Sequence, residues 1–503
     1  MAEHHAGERF TARRDLERRV PSRPAAPPRP IGPPPGQVPQ YSYAWLPYVL
    51  CALMALVLAF AITRLNYGYA QAPHRIIKML IGVSFVGFTV FRPKLALHVW
   101  LLAMPIAAWL PVTGIPGLNG VNLLFVVAVL GWVLPWVTSG ERLLPRTRLA
   151  APLIVYIVVL FASAIRTILF PPEGTSYVAS DLLLRVWQRV PALAIYFVAV
   201  GSVRTPQRIK ALLGTFSVSA GIAAMIAIRQ FIATPGESTR RIGAGMNPND
   251  FAAYVGICAS MLGAYVFNSR AFGGVRRLVI WGGAALAAVA VLLPKSRGGY
   301  LGFAGGLASL TYLVSKKAFI VFLIVMLASP LWAPGFVKER VKETEVESFE
   351  AQIVGDVTDR LDPSAAVRIT IWGIVLREVA KRPVFGYGFG AVPRLTVGDI
   401  GTPFSAHSLY FETLGDMGLI GLAALLWLLV ACVRSGFELM RRATTPLSRG
   451  LSIGFIAASV VMLLTNIFGQ RFLHRSIAGS YFLLAGLVDR SIILERRAAS
   501  AQE

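Results

Sequence analysis

One pattern recurs along this chain and limits what it can become: an apolar run long enough to cross a bilayer, a short polar break, then another such run. A helix needs about 20 apolar residues to span a hydrocarbon core of roughly 30 Å, and inside that core every backbone amide must find its partner within its own segment. Runs of this kind are read at 44–63, 76–91, 95–111, 121–138, 150–169, 188–203, 210–232, 250–268, 278–294, 298–315, 317–333, 408–433, 450–469 and 475–489. The pattern predicts an all-α polytopic membrane protein of about 12–14 transmembrane helices with one long outer loop.

Composition agrees, since 55% of the 503 residues are apolar and the mean hydropathy is +0.62, outside the range of soluble domains. A formal net charge of +24 raises the question of nucleic acid. The basic residues, however, are spread through short breaks between apolar runs, where they set membrane orientation and form no nucleic-acid patch. FRPK at 91–94, SGERLLPRTR at 139–148, RTPQRIK at 204–210, NSRAFGGVRR at 268–277, SKK at 315–317 and RSGFELMRR at 434–442 all fall on one side of the threading. The positive-inside rule makes that side cytoplasmic, and both termini with it. Residues 1–42, rich in Arg and Pro with no apolar block or cleavage-site pattern, read as a disordered cytoplasmic tail. Cys51, Cys258 and Cys432 lie within apolar runs, far apart in sequence, and read as small apolar residues without a metal or disulfide role.

Breaks on the opposite side should be poor in Lys and Arg, as PVTGIPGLNG at 111–120 is. Arginines that violate the trend include Arg240 and Arg241 in GESTRRIGAGMNPND, Arg297 in LLPKSRGGYLG, and Arg368 in the long segment from about 334 to 407, which His407 closes. Cations gathered where the rule predicts few point to an anion-binding site. Within the long segment, 337–362 is polar and acidic and is expected to cover the membrane surface. Residues 365–383 place Ile369, Trp372, Leu376 and Val379 at helical spacing, with Arg368, Glu378, Lys381 and Arg382 on other faces, which predicts an amphipathic helix at the outer interface. FGYGFGAVP at 385–393 has neither a preceding strand nor a P-loop lysine, so its glycines predict a mobile turn that brings His407 over the helix, not a nucleotide site.

Together these residues resemble the O-antigen ligase and polymerase superfamily of bacterial inner-membrane glycosyltransferases. The resemblance rests on the Arg-rich stretch through MNPND at 240–250, SRGGYLG at 296–302, the R-x-x-x-W run ending in RPVFGYGFG at 368–390, and HSLYFETLGDMGLIGL at 407–422, and it covers roughly 150–490. Ser408 departs from it, standing where Asn often follows the His, and the apolar runs outnumber the family's usual spans. The resemblance implies transfer of a glycan from an undecaprenyl-diphosphate carrier to a hydroxyl of a glycan, lipid or protein acceptor. That reaction takes place at the periplasmic face of the inner (plasma) membrane, without cofactor, metal or nucleotide sugar.

The residues suit that chemistry. A lipid diphosphate in the outer leaflet calls for guanidinium forks at membrane-surface height, and Arg240 or Arg241, Arg297 and Arg368 are candidates to supply them. Arg241 is the preferred member of the first pair because it lies nearer the MNPND turn. The same forks would stabilise charge on the departing diphosphate. His407, with an ordinary pKa of about 6.5, is the candidate catalytic base for the acceptor hydroxyl. Asn249 and Asp250 read as caps of the next helix, Tyr410 as packing, and Glu412 with Asp416 as an inward polar pair outside the catalytic set. The expected organisation is the tail 1–42, an N-terminal transmembrane bundle 43–333, a periplasmic loop domain 334–407, C-terminal transmembrane helices 408–490 and a cytoplasmic tail 491–503. A lipid-linked oligosaccharide flippase would carry its charges near mid-membrane in related halves, and no internal repeat is visible. Ligase and polymerase share donor and chemistry and differ in acceptor, so sequence leaves that choice open.

Overall fold

Among the described residues the apolar runs become helices. The computed structural model describes residues 95–109, 120–139, 144–171, 179–233, 243, 245–268, 274–342 and 363–501, all within one compact unit, Tyr48–Glu503. The tail 1–42, the expected spans at 44–63 and 76–91, Cys51, Arg240 and Arg241 lie outside the described residues. In chain order the main helices are α1 (Ala96–Ala103), α2 (Gly120–Ser139), α3 (Ala150–Leu169), α4 (Ala179–Trp187), α5 (Val190–Ser202), α6 (Pro206–Ala233), α7 (Pro248–Phe267) and α8 (Gly274–Leu292). There follow α9 (Arg297–Val314), α10 (Lys316–Leu327), α11 (Gly335–Lys342), α12 (Pro363–Lys381), α13 (Leu409–Arg442), α14 (Pro446–Thr465) and α15 (Arg475–Ser500). No strand occurs among the described residues. Seven helical segments there are long and apolar enough to cross a membrane, and three shorter apolar ones accompany them. The chain is an all-α polytopic membrane protein.

Some expected boundaries move for local reasons. The run at 95–111 is α-helical only to Ala103 and tightens to a 3-10 helix over Met104–Trp109, where Pro105 has no amide to donate. The span expected at 188–203 begins at Leu182 and is broken between α4 and α5, just before Pro191. Large apolar side chains on α8 and α10 face outward, Leu278 at 73% and Leu327 at 81% exposure, as lipid-facing positions do. α15 lies at the centre, with 89% of its membrane window buried. α9 approaches α14 closely enough that a Cβ on Gly302 would sit 2.4 Å from Thr465 Cγ2 and one on Gly306 2.5 Å from Val461 Cγ2, the small-residue spacing that lets membrane helices touch. Cys258 and Cys432 are buried and free.

α12 is amphipathic, with its apolar stripe turned from the expected one. Ile371, Val375 and Val379 are buried against Val392, Ala406 and Leu414, whereas Ile369 and Leu376 are 47% and 52% exposed. The helix has two apolar stripes, and the one that docks is the one that meets α13. α13 is itself interrupted, because Gly418 leaves the helical region at φ 64°, ψ −160°. Into that break the segment 383–388 inserts its backbone. Tyr387 N donates to Gly415 O (2.9 Å), Gly388 N to Asp416 O (2.8 Å), Leu419 N to Pro383 O (2.8 Å) and Ile420 N to Val384 O (3.3 Å).

Candidate functional site

The glycine turn after α12 is fastened, not mobile, and it orders the segment leading to His407. Asp416, 3% exposed, accepts from three consecutive amides, Gly390 N (2.8 Å), Ala391 N (3.0 Å) and Val392 N (3.1 Å). Arg166 of α3 donates from one nitrogen to Phe385 O (2.8 Å) and Gly386 O (2.6 Å), and Arg189 lies over the Phe389 ring at 4.3 Å. A carboxylate buried this fully needs such donors to stay satisfied. Together with the four backbone bonds at the α13 break, these contacts leave the turn little freedom.

His407 itself is exposed and takes φ 48°, the left-handed region that residues other than glycine rarely occupy. Its neighbours on both sides are tied down. Ala406 N donates to Glu412 Oε2 (2.8 Å), Trp372 Nε1 donates to Ala406 O (2.9 Å), and His407 N donates to Ser405 Oγ (3.2 Å). Trp372 stacks on Phe411 at 4.7 Å, which joins α12 to the first turn of α13. Glu412 and Asp416 thus orient neighbouring backbone, as expected of them, and the Tyr410 hydroxyl donates to Leu463 O (2.9 Å) in a packing role.

Two arginines act on the ring. Partial burial first, then the guanidiniums of Arg368 and Arg471, hold the His407 imidazole below its ordinary pKa, which favours the neutral ring. Arg368 comes from α12 and is half-buried. Arg297 opens α9, where Ser296 caps the helix by accepting from Gly299 N (3.1 Å) and donates to Asn249 Oδ1 (2.7 Å). Gly298, beside it, packs on Phe468: a Cβ there would meet that residue's Cβ at 3.3 Å. Arg297, Arg368 and His407 therefore gather at one end of the bundle, around the turn between α14 and α15. Arg240 and Arg241 cannot be placed with them, since both lie outside the described residues.

The reading of Asn249 and Asp250 as helix caps is corrected. Asn247 caps α7, accepting from Asn249 N at 2.9 Å. Asp250 instead forms an ion pair with Arg471, which is only 4% exposed. Sequence reasoning missed Arg471 and, three residues on, His474, whose pKa is lowered chiefly by burial. The signal was present in QRFLHR at 470–475, an outer break by the same threading that carries two arginines and a histidine.

Residues 282–426 match the family model described as O-antigen ligase. The chain carries an O-antigen ligase domain. Among curated proteins no match to the chain is found. The O-antigen ligase domain runs from within α8 to just beyond the Gly418 break of α13, so it contains Arg297, Arg368, the fastened glycine turn and His407. Asp250, Arg471 and His474 lie outside it and reach the same end of the bundle from α7 and the turn before α15.

Proposed function

We propose that the chain is an O-antigen ligase-type glycosyltransferase, which moves a glycan from an undecaprenyl-diphosphate carrier to an acceptor hydroxyl at the periplasmic face of the inner membrane. The acceptor oxygen attacks the anomeric carbon and the carbon–oxygen bond to the diphosphate breaks. Its electron pair leaves with the phosphate, and the hydroxyl proton passes to the His407 imidazole. Arg297 and Arg368, with Arg240 or Arg241, hold the diphosphate and offset the charge it gains as the bond breaks. The observation that carries this reading is an exposed imidazole on a fastened, left-handed segment at the end of the bundle where Arg297 also lies, with Arg368 and Arg471 acting on it. A base must begin unprotonated; burial first and the two guanidiniums second favour that form, and the same cations attract the donor.

The test is transfer by purified protein in bilayers supplied with carrier-linked glycan and an acceptor. His407→Ala is expected to lower turnover on the order of 10²–10⁴-fold with donor affinity unchanged. Retained turnover overturns the assignment. Deletion in the producing cell separates the acceptors: full-length polymer stranded on the carrier marks a ligase, and single repeat units attached at the surface mark a polymerase.

A further inference from the structure

We propose that Arg471 is a positioning residue: anchored on Asp250, it holds the turn 466–471 that keeps His407 in its left-handed backbone conformation. The inference rests on the reading of His407 as the base. Asn466 O and Gly469 O both accept from Leu409 N, at 2.9 and 3.0 Å, and Ser408 Oγ reaches Asn466 O at 3.5 Å. Gln470 Nε2 donates to Ser405 Oγ (2.7 Å), the same oxygen that accepts from His407 N. The turn thus grips the chain immediately before and immediately after His407. A side chain bearing a Cβ does not rest in the left-handed region unaided; the surroundings must over-determine it.

The turn in turn depends on Arg471. Its backbone N donates to Asn466 Oδ1 (2.8 Å), closing the turn on itself. Its guanidinium lies over Gly469, where a Cβ would come within 2.4 Å of Cζ, pairs with Asp250, and approaches Phe468 O at 3.4 Å. With a carboxylate on one edge, the turn on the other and 4% exposure, this guanidinium presents no open fork to a ligand, unlike a residue built to grip phosphate. Asp250 opens α7 and Arg471 precedes α15, so the anchor ties two helices outside the O-antigen ligase domain to the base inside it.

The experiment compares full-length variants in bilayer discs with carrier-linked glycan as donor. Arg471→Gln alone strands a charged Asp250, so the informative variant is Asp250→Asn with Arg471→Gln, which keeps a neutral pair. Turnover is expected to fall on the order of 10²-fold, the effect of misplacing a catalytic group by about 1 Å, with the donor KM within about twofold of wild type. Arg471→Lys, which keeps the charge on Asp250, should recover most of that loss. Added to His407→Ala, the pair should cost nothing further, because residues acting through one group are non-additive. Gln470→Ala, which cuts only the bond to Ser405, serves if the double variant does not fold, and should lower turnover with KM unchanged. The proposal is overturned if KM or donor affinity worsens in step with turnover, if the losses add to that of His407→Ala, or if turnover stays at wild-type level. An active His407→Ala removes the base and this proposal with it, whereas an impaired His407→Ala beside unimpaired Arg471 and Gln470 variants removes only the positioning role.

Discussion

Gly418→Ala tests whether the break in α13 is a built feature of the fold. At φ 64°, ψ −160° the position is one that glycine occupies freely and an L side chain does not, which costs about 1–3 kcal/mol. The new methyl would also sit 2.5 Å from Gly386 N and 2.5 Å from Val384 O. Both are backbone atoms, so neither can swing aside as a side chain would, and relief comes only by pushing 383–388 out of the break. That movement strains the bonds from Leu419 N to Pro383 O and from Ile420 N to Val384 O, each worth about 0.5–1.5 kcal/mol. The sum is roughly 2–6 kcal/mol, a large share of the stability of an ordinary domain. The assay is thermal unfolding in detergent followed by intrinsic fluorescence, with limited proteolysis of 383–407 alongside. Gly373→Ala is the control: it is an exposed mid-helix glycine with no atom within 4 Å of its Cβ position, so the change should be neutral or stabilising by up to about 1 kcal/mol. If Gly418→Ala melts with wild type and its loop resists protease equally, the account of the break is wrong.

Cysteine labelling at Glu350 and at Arg441 should report opposite faces of the membrane; the same face for both would undo the orientation on which the site reading stands. Arg297→Ala and Arg368→Ala should each abolish transfer while the protein still inserts, with Lys restoring only part because a point charge is no bidentate fork, and full activity in either Ala variant removes that residue. The wild-type rate should fall as pH drops through a His407 pKa below 6.5, and Arg368→Gln, which removes a cation disfavouring the imidazolium, should move the His407 titration midpoint to higher pH, read by imidazole NMR without turnover. A midpoint that stays in place detaches Arg368 from the ring. Transfer should survive EDTA, and a loss restored by a divalent cation would put a metal into the mechanism.

The helices were legible because lipid leaves the backbone few choices, so length and apolarity alone place α3, α6, α7 and α14 within a few residues and also the starts of α13 and α15, whose helices continue past the apolar run to Arg442 and Ser500. His407, Arg297 and Arg368 stand out in the sequence for a related reason: each is a basic or titratable group on the side where the charge trend predicts few, and their roles in transfer are proposals. What could not be read were relations between distant segments. Gly418 within DMGLIGL resembles any helical glycine, and only Val384 and Gly386 arriving from another segment explain its conformation. Asp250 looks like a cap until Arg471 appears beside it. The docking stripe of α12 could not be chosen between Ile369 with Leu376 and Ile371 with Val375, because both have helical spacing and only the partner decides.

The burial of α15 carries a consequence for how the protein is made. Helices enter the membrane in the order of synthesis, and the one that fills the centre is the last of those described. Until it emerges, Tyr196 of α5 lacks Asp489, its partner at 2.6 Å, and Glu438, whose carboxylate binds Arg148 at 3.0 Å and Arg442 at 3.2 Å, lacks Arg496. The helices before it must therefore wait with polar groups facing an unfilled axis, and those contacts close only when α15 arrives. A stop codon before α15 would leave the described earlier spans around a gap they cannot fill, which makes α15 the step that commits their packing.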